Sequence, residues 1–78
     1  MTITDAKSLT SGQTIFAQPG NPLFNRGGVN ADGSPMRFKV TSVKTWKTRP
    51  DEIRVGLKRG LRNTFKINET DIENFDLS

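Results

Sequence analysis

The chain has 78 residues, of which 32% are hydrophobic, a net charge of +4, and neither cysteine nor histidine. A chain of this length forms one small domain with a thin core, because small domains bury only about 60% of the surface that their unfolded chains expose. The absence of cysteine and histidine excludes disulfides, thiolate nucleophiles, serine–histidine–aspartate triads and the usual zinc sites.

The charges are unevenly distributed along the chain. Residues 1–36 carry two basic and two acidic side chains, residues 37–66 carry ten basic and two acidic ones, and residues 67–78 carry four acids and no base. The middle segment therefore has a net charge of +8 and the tail a net charge of −4. Charge segregated in this way points to polyanions or acidic protein surfaces as partners.

The N-terminal residues MTITDAKSL lack the basic start and apolar run of a signal peptide. No stretch of the chain approaches the ~18 apolar residues that a membrane span requires. We therefore expect a cytoplasmic protein without a membrane partner.

The first predicted element is a strand within residues 8–18, SLTSGQTIFAQ, centred on Ile15 and Phe16. A long loop rich in glycine and proline follows at residues 17–36. Loops of this length are uncommon in small domains and are often functional. We expect Leu23 and Phe24 to anchor this loop to the core.

Residues 37–47, RFKVTSVKTWK, predict the longest strand. Phe38, Val40 and Trp46 share one face of it, whereas Val43 falls on the other face. This slip predicts a bend or bulge near residues 41–42.

A turn is predicted at residues 48–52, TRPDE, because proline and aspartate favour turn positions. Residues 53–57 and 61–67 then predict a hairpin that turns at Gly60. Pairing about Gly60 places Arg54 opposite Lys66 and Lys58 opposite Arg62. The side chains expected to point inward are those of Ile53, Val55, Leu57, Phe65 and Ile67.

The last segment contains a possible capping box, Thr70 to Glu73, and an apolar pair, Ile72 and Phe75, which together predict one helical turn. The chain as a whole predicts a single all-β domain over residues 1–78. We expect a small, strongly bent antiparallel sheet or an SH3-like barrel of four or five strands with one short C-terminal helical turn. The alternative is an open three-stranded sheet capped by that turn.

The basic hairpin is the main candidate site. Like charges opposite one another across strands destabilise a sheet, so their concentration here favours a surface that binds nucleic acid or an acidic partner. The alternative is a solvated face, or one neutralised by the acidic tail folding back over it. The candidate binding residues are Lys44, Lys47, Arg54, Lys58, Arg59, Arg62 and Lys66.

Trp46 lies between Lys44 and Lys47 and is a candidate for stacking on a nucleic-acid base. Its shared face with Phe38 favours the alternative of a core residue. In the glycine-rich loop, Arg26 is a candidate contact to a nucleic-acid backbone. The loop lacks the lysine and spacing of a phosphate-binding P-loop, and a flexible connector is the simpler interpretation.

An enzyme is not predicted. Asp51 and Glu52 are adjacent in the sequence, so they point in opposite directions on a strand or into solvent in a turn. No base, nucleophile or metal-binding cluster accompanies them. We therefore expect no catalytic residue, metal, cofactor or small-molecule substrate.

Residues 37–75, about half of the chain, resemble small bacteriophage-encoded basic proteins. The shared pattern is Val-Lys-Thr-Trp-Lys-x-Arg-Pro, here residues 43–50, followed by an alternating strand and a Gly-Leu turn. The resemblance implies a phage accessory protein in the cytoplasm of an infected bacterium. No activity is established for such proteins, so the resemblance implies no functional residue.

Two functions are compatible with these features. The first is a non-catalytic phage accessory protein whose basic hairpin binds nucleic acid. The alternative is a protein-interaction module that docks on an acidic groove of a host or defence-system protein and inhibits or redirects it. In that case Leu23 and Phe24 would serve as an apolar anchor, because interface energy concentrates in a few buried contacts.

Overall fold

The computed structural model of the chain describes residues 1–61 and 63–77. They form a curled, half-barrel sheet of five antiparallel strands with one short helix and one 3₁₀ turn, which confirms the predicted fold class. The elements, in chain order, are helix α1 (Ile3–Lys7), strands β1 (Thr14–Ala17), β2 (Arg37–Trp46), β3 (Arg49–Arg59) and β4 (Asn63–Asn68), the 3₁₀ turn (Ile72–Asn74) and strand β5 (Phe75–Asp76).

The strand order in the sheet is β4-β3-β2-β1-β5. The two longest strands, β2 and β3, pair with each other at the centre of the sheet. Their register shifts between Val40 and Ser42 and again between Thr45 and Trp46. The first shift confirms the predicted irregularity near residues 41–42. A β-bulge bends a strand and increases its twist, which allows a sheet this small to curl around its own core.

The core lies on the concave side of the sheet. Alternate residues of the strands point into it, as period-2 geometry requires. The five residues predicted to point inward from the β3–β4 hairpin do so, with Phe65 half-buried and the other four buried. The buried hydrophobic residues are Ala6, Leu9, Ile15, Ala17, Met36, Phe38, Val40, Ile53, Val55, Leu57, Ile67, Ile72 and Phe75.

Helix α1 was not predicted from the sequence. The predicted strand over residues 8–18 is wrong for residues 8–13, because only Thr14–Ala17 pair as a strand. A capping box starts the helix: Thr2 Oγ1 accepts from the Asp5 amide at 3.2 Å, and Asp5 Oδ2 accepts from the Thr2 amide at 3.2 Å. The helix has five residues, too few for a helical period to appear in the sequence.

The β2–β3 turn lies earlier than predicted. It occupies residues 47–48, and Pro50 and Asp51 belong to strand β3 instead of the turn. Proline is compatible with this position because β4 pairs with β3 only from Arg54 onward, so the start of β3 lacks a neighbour on that side. Lys7 of α1 donates to the carbonyl of Pro50 at 2.6 Å and ties the helix to this hairpin.

The C-terminal helical turn is confirmed, but the predicted capping box of Thr70 and Glu73 is wrong. Asp71 is the N-cap residue, and it makes no side-chain cap hydrogen bond. The side chain of Asn68 instead accepts from the amides of Thr70 and Asp71 at 2.9 and 3.2 Å. Such Asx turns compete with helix caps at chain reversals.

The long connection between β1 and β2 is folded onto the sheet. Buried Asn21 donates through Nδ2 to the carbonyl of Asn74 at 2.8 Å, so the connection is tied to the 3₁₀ turn. Phe24 anchors it to the core by stacking on Phe38, with ring centroids 5.3 Å apart. Leu23, the other predicted anchor, is 45% exposed, so that part of the prediction is wrong.

Candidate polyanion-binding face

The convex side of the sheet collects basic side chains from three neighbouring strands. Directly paired residues point to the same side of a sheet, and Lys39 pairs with Lys58 while Lys44 pairs with Arg54. Arg37 and Lys66 share this side through their own alternation on β2 and β4. We call this set the outer basic face: Arg37, Lys39, Lys44, Arg54, Lys58 and Lys66.

The like-charged neighbours differ from those predicted. On the β3–β4 side, Arg54 pairs with Asn68 instead of Lys66, and Lys58 pairs with Thr64. Lys66 lies opposite Gly56. Arg62, the predicted neighbour of Lys58, lies outside the described residues. Among the described residues, the directly paired like charges therefore lie between β2 and β3.

Thr41, Ser42 and Gly56 occupy the middle of the outer basic face. A Cβ atom at Gly56 would lie 2.5 Å from Thr41 Oγ1 and 2.6 Å from Ser42 Oγ. The bulge at residues 41–42 directs both hydroxyls over β3, so a residue without a side chain is needed beneath them. The hydroxyls place small hydrogen-bonding groups among the surrounding cations.

Three of the four acids of the tail make hydrogen bonds within the fold, and none of the four forms an ion pair with a described residue of this face. β5 pairs with β1, at the opposite edge of the sheet from β4. Glu69 accepts from the amide of Ile53 at 3.2 Å, Asp71 accepts from the amide of Asn68 at 3.1 Å, and Asp76 accepts from Gln18 at 2.9 Å. These carboxylates therefore satisfy polar groups of the fold instead of neutralising the basic strands.

Within residues 1–61 and 63–77, the only ion pair joins Arg49 to Glu52, at 3.1 Å. Neither residue belongs to the outer basic face. Asp32 likewise has a local partner, since its carboxylate accepts from the amide and the hydroxyl of Ser34. Those two hydrogen bonds lower the pKa of Asp32 below its ordinary value. Neither carboxylate pairs with a cation of the outer basic face.

A surface groove of about 500 Å³ opens at one end of the outer basic face. Arg37, Lys39 and Lys58 line it together with Thr14, and Leu61, which is 91% exposed, stands at its mouth. Three cations around one groove create a positive potential that concentrates anionic groups. Arg37 and Lys39 were missed as site residues because their proximity to Lys58 depends on the β2–β3 register.

Trp46 lies at the turn end of the β2–β3 hairpin. It is half-buried and is not among the residues of the core cluster, so the prediction of a core role is wrong. The bulge at residues 41–42 reverses the alternation that places Phe38 in the core. Val43 then pairs with the buried Val55, so Trp46, three residues further on, falls on the outer side. Lys44 Nζ lies 5.4 Å and Arg49 Cζ lies 4.9 Å from its ring centroid, which are cation–π distances.

The other predicted site residues lie apart from the outer basic face. Lys47 is in the β2–β3 turn beside Trp46. Arg59, next to Lys58 in the chain, lines a second groove together with Arg26 and Phe24 of the long loop. The candidates therefore divide into three places: the outer face, the tryptophan turn and the loop groove.

The described part of the chain contains no group of three acidic, histidine or cysteine side chains placed to hold a metal ion. In the same residues no helix has the length and apolar character needed to cross a membrane.

Replacing Lys39 and Lys58 by glutamine should leave the free energy of unfolding unchanged or raise it by up to about 1 kcal/mol, because it removes a repulsive cross-strand pair. Thermal melts at about 10 mM and about 300 mM salt provide the measurement. The wild type should gain stability with salt, since screening weakens repulsion between exposed charges. The double variant should gain less stability than the wild type when the salt concentration is raised.

Arg49→Gln is the control, because it removes a positive charge from an attractive pair with Glu52. It should be neutral or slightly destabilising, as exposed ion pairs contribute about 0–1 kcal/mol. A double variant K39Q/K58Q that is less stable than the wild type at both salt concentrations would show that this pair does not repel.

Comparisons of the chain with protein-family models, with curated proteins and with solved structures found no match. What bears on function is therefore the geometry of the outer basic face and of the two grooves beside it.

Proposed function

We propose that the protein is a non-catalytic binder of nucleic acid that uses the outer basic face. The observation that supports this most is the direct pairing of Lys39 with Lys58 and of Lys44 with Arg54. Opposite like charges destabilise a sheet, and no carboxylate among the described residues pairs with these four side chains. A polyanion lying across β2, β3 and β4 would relieve the repulsion.

The shape of the face suits a phosphate backbone. Phosphates along a nucleic-acid strand recur at regular spacing, and lysine and arginine contacts to them carry most of the affinity of sequence-independent binding. The cations stand on three adjacent strands, around the hydroxyls of Thr41 and Ser42. Exposed hydroxyls are common secondary donors to phosphate oxygens.

The expected salt dependence tests this proposal. If about five phosphates are neutralised, the slope of log affinity against log salt should be about −3.5 for a single strand and about −4.5 for a duplex. Anisotropy titrations of labelled oligonucleotides at several salt concentrations measure it. K39Q should make the slope shallower by about 0.7 to 0.9, the contribution of one phosphate.

Lys7→Gln is the matched control, since it also removes one positive charge but lies on helix α1. Its slope should equal that of the wild type. Absence of binding to single strands and duplexes at about 50 mM salt would reject the proposal, and equal effects of K39Q and K7Q would reject the outer basic face as the site.

The second candidate function is a module that binds an acidic protein and inhibits or redirects it. The position of Leu61 favours this second function. Its side chain is 91% exposed beside the cationic groove and offers an apolar contact within a basic surface. A partner captured from a bacterial lysate that survives nuclease treatment would support this function over the first.

The resemblance of residues 37–75 to phage-encoded proteins supports a phage origin for either function. A bacterial cytoplasm during infection is then the place of action. Nucleic acid of the phage or the host, or a host or defence-system protein that handles it, would be the partner.

A further inference from the structure

A second groove, of about 480 Å³, lies between the long loop and the end of strand β3. We call it the loop groove. Its apolar lining comes from Phe24, Val29 and Met36, which are buried or half-buried, whereas Arg26 and Arg59 are exposed. An apolar floor with two guanidinium groups at the rim suits a flat apolar ring that carries a nearby negative charge.

Phe24, at the floor of the loop groove, packs against three other aromatic rings. The Phe24 ring stacks on the buried Phe38 ring at 5.3 Å with an interplanar angle of 16°. The rings of Phe65 and Phe75 meet Phe24 edge-on, with centroids 6.1 and 6.3 Å away. A ring held on several sides presents a fixed surface, so stacking a ligand on it costs little conformational entropy.

Arg59 is held in place at the rim. Its Nη2 donates to Asn30 Oδ1 at 3.1 Å, and Asn30 Nδ2 in turn donates to Ser34 Oγ at 3.0 Å and to the Pro35 carbonyl at 3.3 Å. The side-chain amide of Asn30 is therefore hydrogen-bonded through both its oxygen and its nitrogen. A guanidinium oriented through one nitrogen retains its other donors for an anionic group.

Consecutive residues of strand β3 line the two grooves. Lys58 lines the groove of the outer basic face and Arg59, the next residue, lines the loop groove. Successive residues of a strand point to opposite sides. A flexible polyanion that crosses the end of β3 therefore meets cations on both sides, whereas a stiff duplex cannot follow this path.

We propose that the loop groove binds one unpaired nucleobase, which stacks on Phe24 while Arg26 and Arg59 contact the adjacent phosphates. This inference rests on the proposed function and deepens it: the preferred ligand is a single strand. A base engaged in a duplex presents no free face for stacking, and base–aromatic stacking tolerates any sequence because every base has such a face.

The test compares three oligonucleotides of equal length at one salt concentration: a single strand, its duplex, and a single strand with abasic sites. The intact single strand should bind roughly 5- to 150-fold more tightly than the abasic one, the range expected for one stacked base. It should also bind more tightly than the duplex, although the duplex has the greater charge density.

Two variants test whether the loop groove causes the preference for intact over abasic single strands. R59Q removes the guanidinium without touching the core, and it should reduce the preference for intact over abasic strands. N30A should reduce it partly, because Arg59 then lacks its orienting acceptor. K7Q is the matched control, since it removes one charge from helix α1 and should leave the preference unchanged.

The outcomes separate this inference from the proposed function. Binding that is equal for intact and abasic strands, or R59Q behaving like K7Q, would overturn the nucleobase site while leaving a nucleic-acid-binding outer basic face. Failure of the wild type to bind any of the three oligonucleotides would reject both. An acidic protein partner whose capture depends on Arg59 would reassign the loop groove to a protein ligand.

Discussion

Replacing Phe75 by alanine should destabilise the protein by about 3–5 kcal/mol, the usual cost of removing a buried aromatic ring. Phe75 is fully buried, and its ring meets that of Phe38 at 5.9 Å and that of Phe24 at 6.3 Å. Small domains are stable by only about 5–15 kcal/mol in total. The variant should therefore be near the limit of folding, with a large fall in the urea midpoint.

Leu77→Ala is the control for this experiment. Leu77 also lies in the acidic tail, two residues further on, but it is 41% exposed. Surface substitutions of this kind usually change stability by less than about 0.5 kcal/mol. Similar losses in the two variants would contradict the view that the tail is held by the burial of Phe75. A large loss confined to F75A would show that the tail is anchored beside β1, away from the outer basic face.

Replacing Gly56 by alanine should destabilise the protein by about 1–3 kcal/mol, the cost of overpacking a tight site. The new methyl group would lie 2.5 Å from Thr41 Oγ1 and 2.6 Å from Ser42 Oγ, so the bulge or strand β3 must move. The clash lies at the centre of the outer basic face. Chemical denaturation would measure the loss, and the salt slope of nucleic-acid binding would show whether the cations remain aligned.

A rescue experiment separates this clash from other effects of alanine. In a variant that already carries Thr41→Ala and Ser42→Ala, adding Gly56→Ala should cost much less, because both hydroxyls are gone. Gly33→Ala is the comparison: Gly33 has φ +87° with nothing within 4 Å, so its cost is backbone strain and should not be rescued. An equal cost of G56A in both backgrounds would exclude the steric explanation.

Much of the fold follows from alternation in the sequence. The apolar residues at 53, 55, 57, 65 and 67 alternate with polar ones, and all five point to the core. Gly60 has φ 72° at the turn that was predicted for it. The slip between Val40 and Val43 also appears as a bulge. Each of these features depends on neighbours along the chain, which a sequence displays directly.

Helix α1 and the β2–β3 turn were not predictable in the same way. The helix has only five residues and is kept in place by Ala6 against the core and by Lys7 on Pro50. The pair Pro50 and Asp51 has the composition of a turn, yet tertiary pairing extends β3 through it. Trp46 lies outside the core for a related reason, since the bulge at residues 41–42 reverses the side on which it was expected.

The sequence by itself determined that Arg54, Lys58 and Lys66 lie on the outer side of the sheet, and only the tertiary structure decided which residues are their neighbours. The predicted partner of Arg54 was Lys66, whereas the observed partner is Asn68, a shift of two residues. Because side chains alternate with period two, such a shift keeps Arg54, Lys58 and Lys66 on their predicted side but changes their partners on the neighbouring strand. The Lys39–Lys58 pair depends on the register of β2 against β3, which the bulge at residues 41–42 and packing from distant segments decide. This pair and both grooves therefore emerge only in the folded sheet.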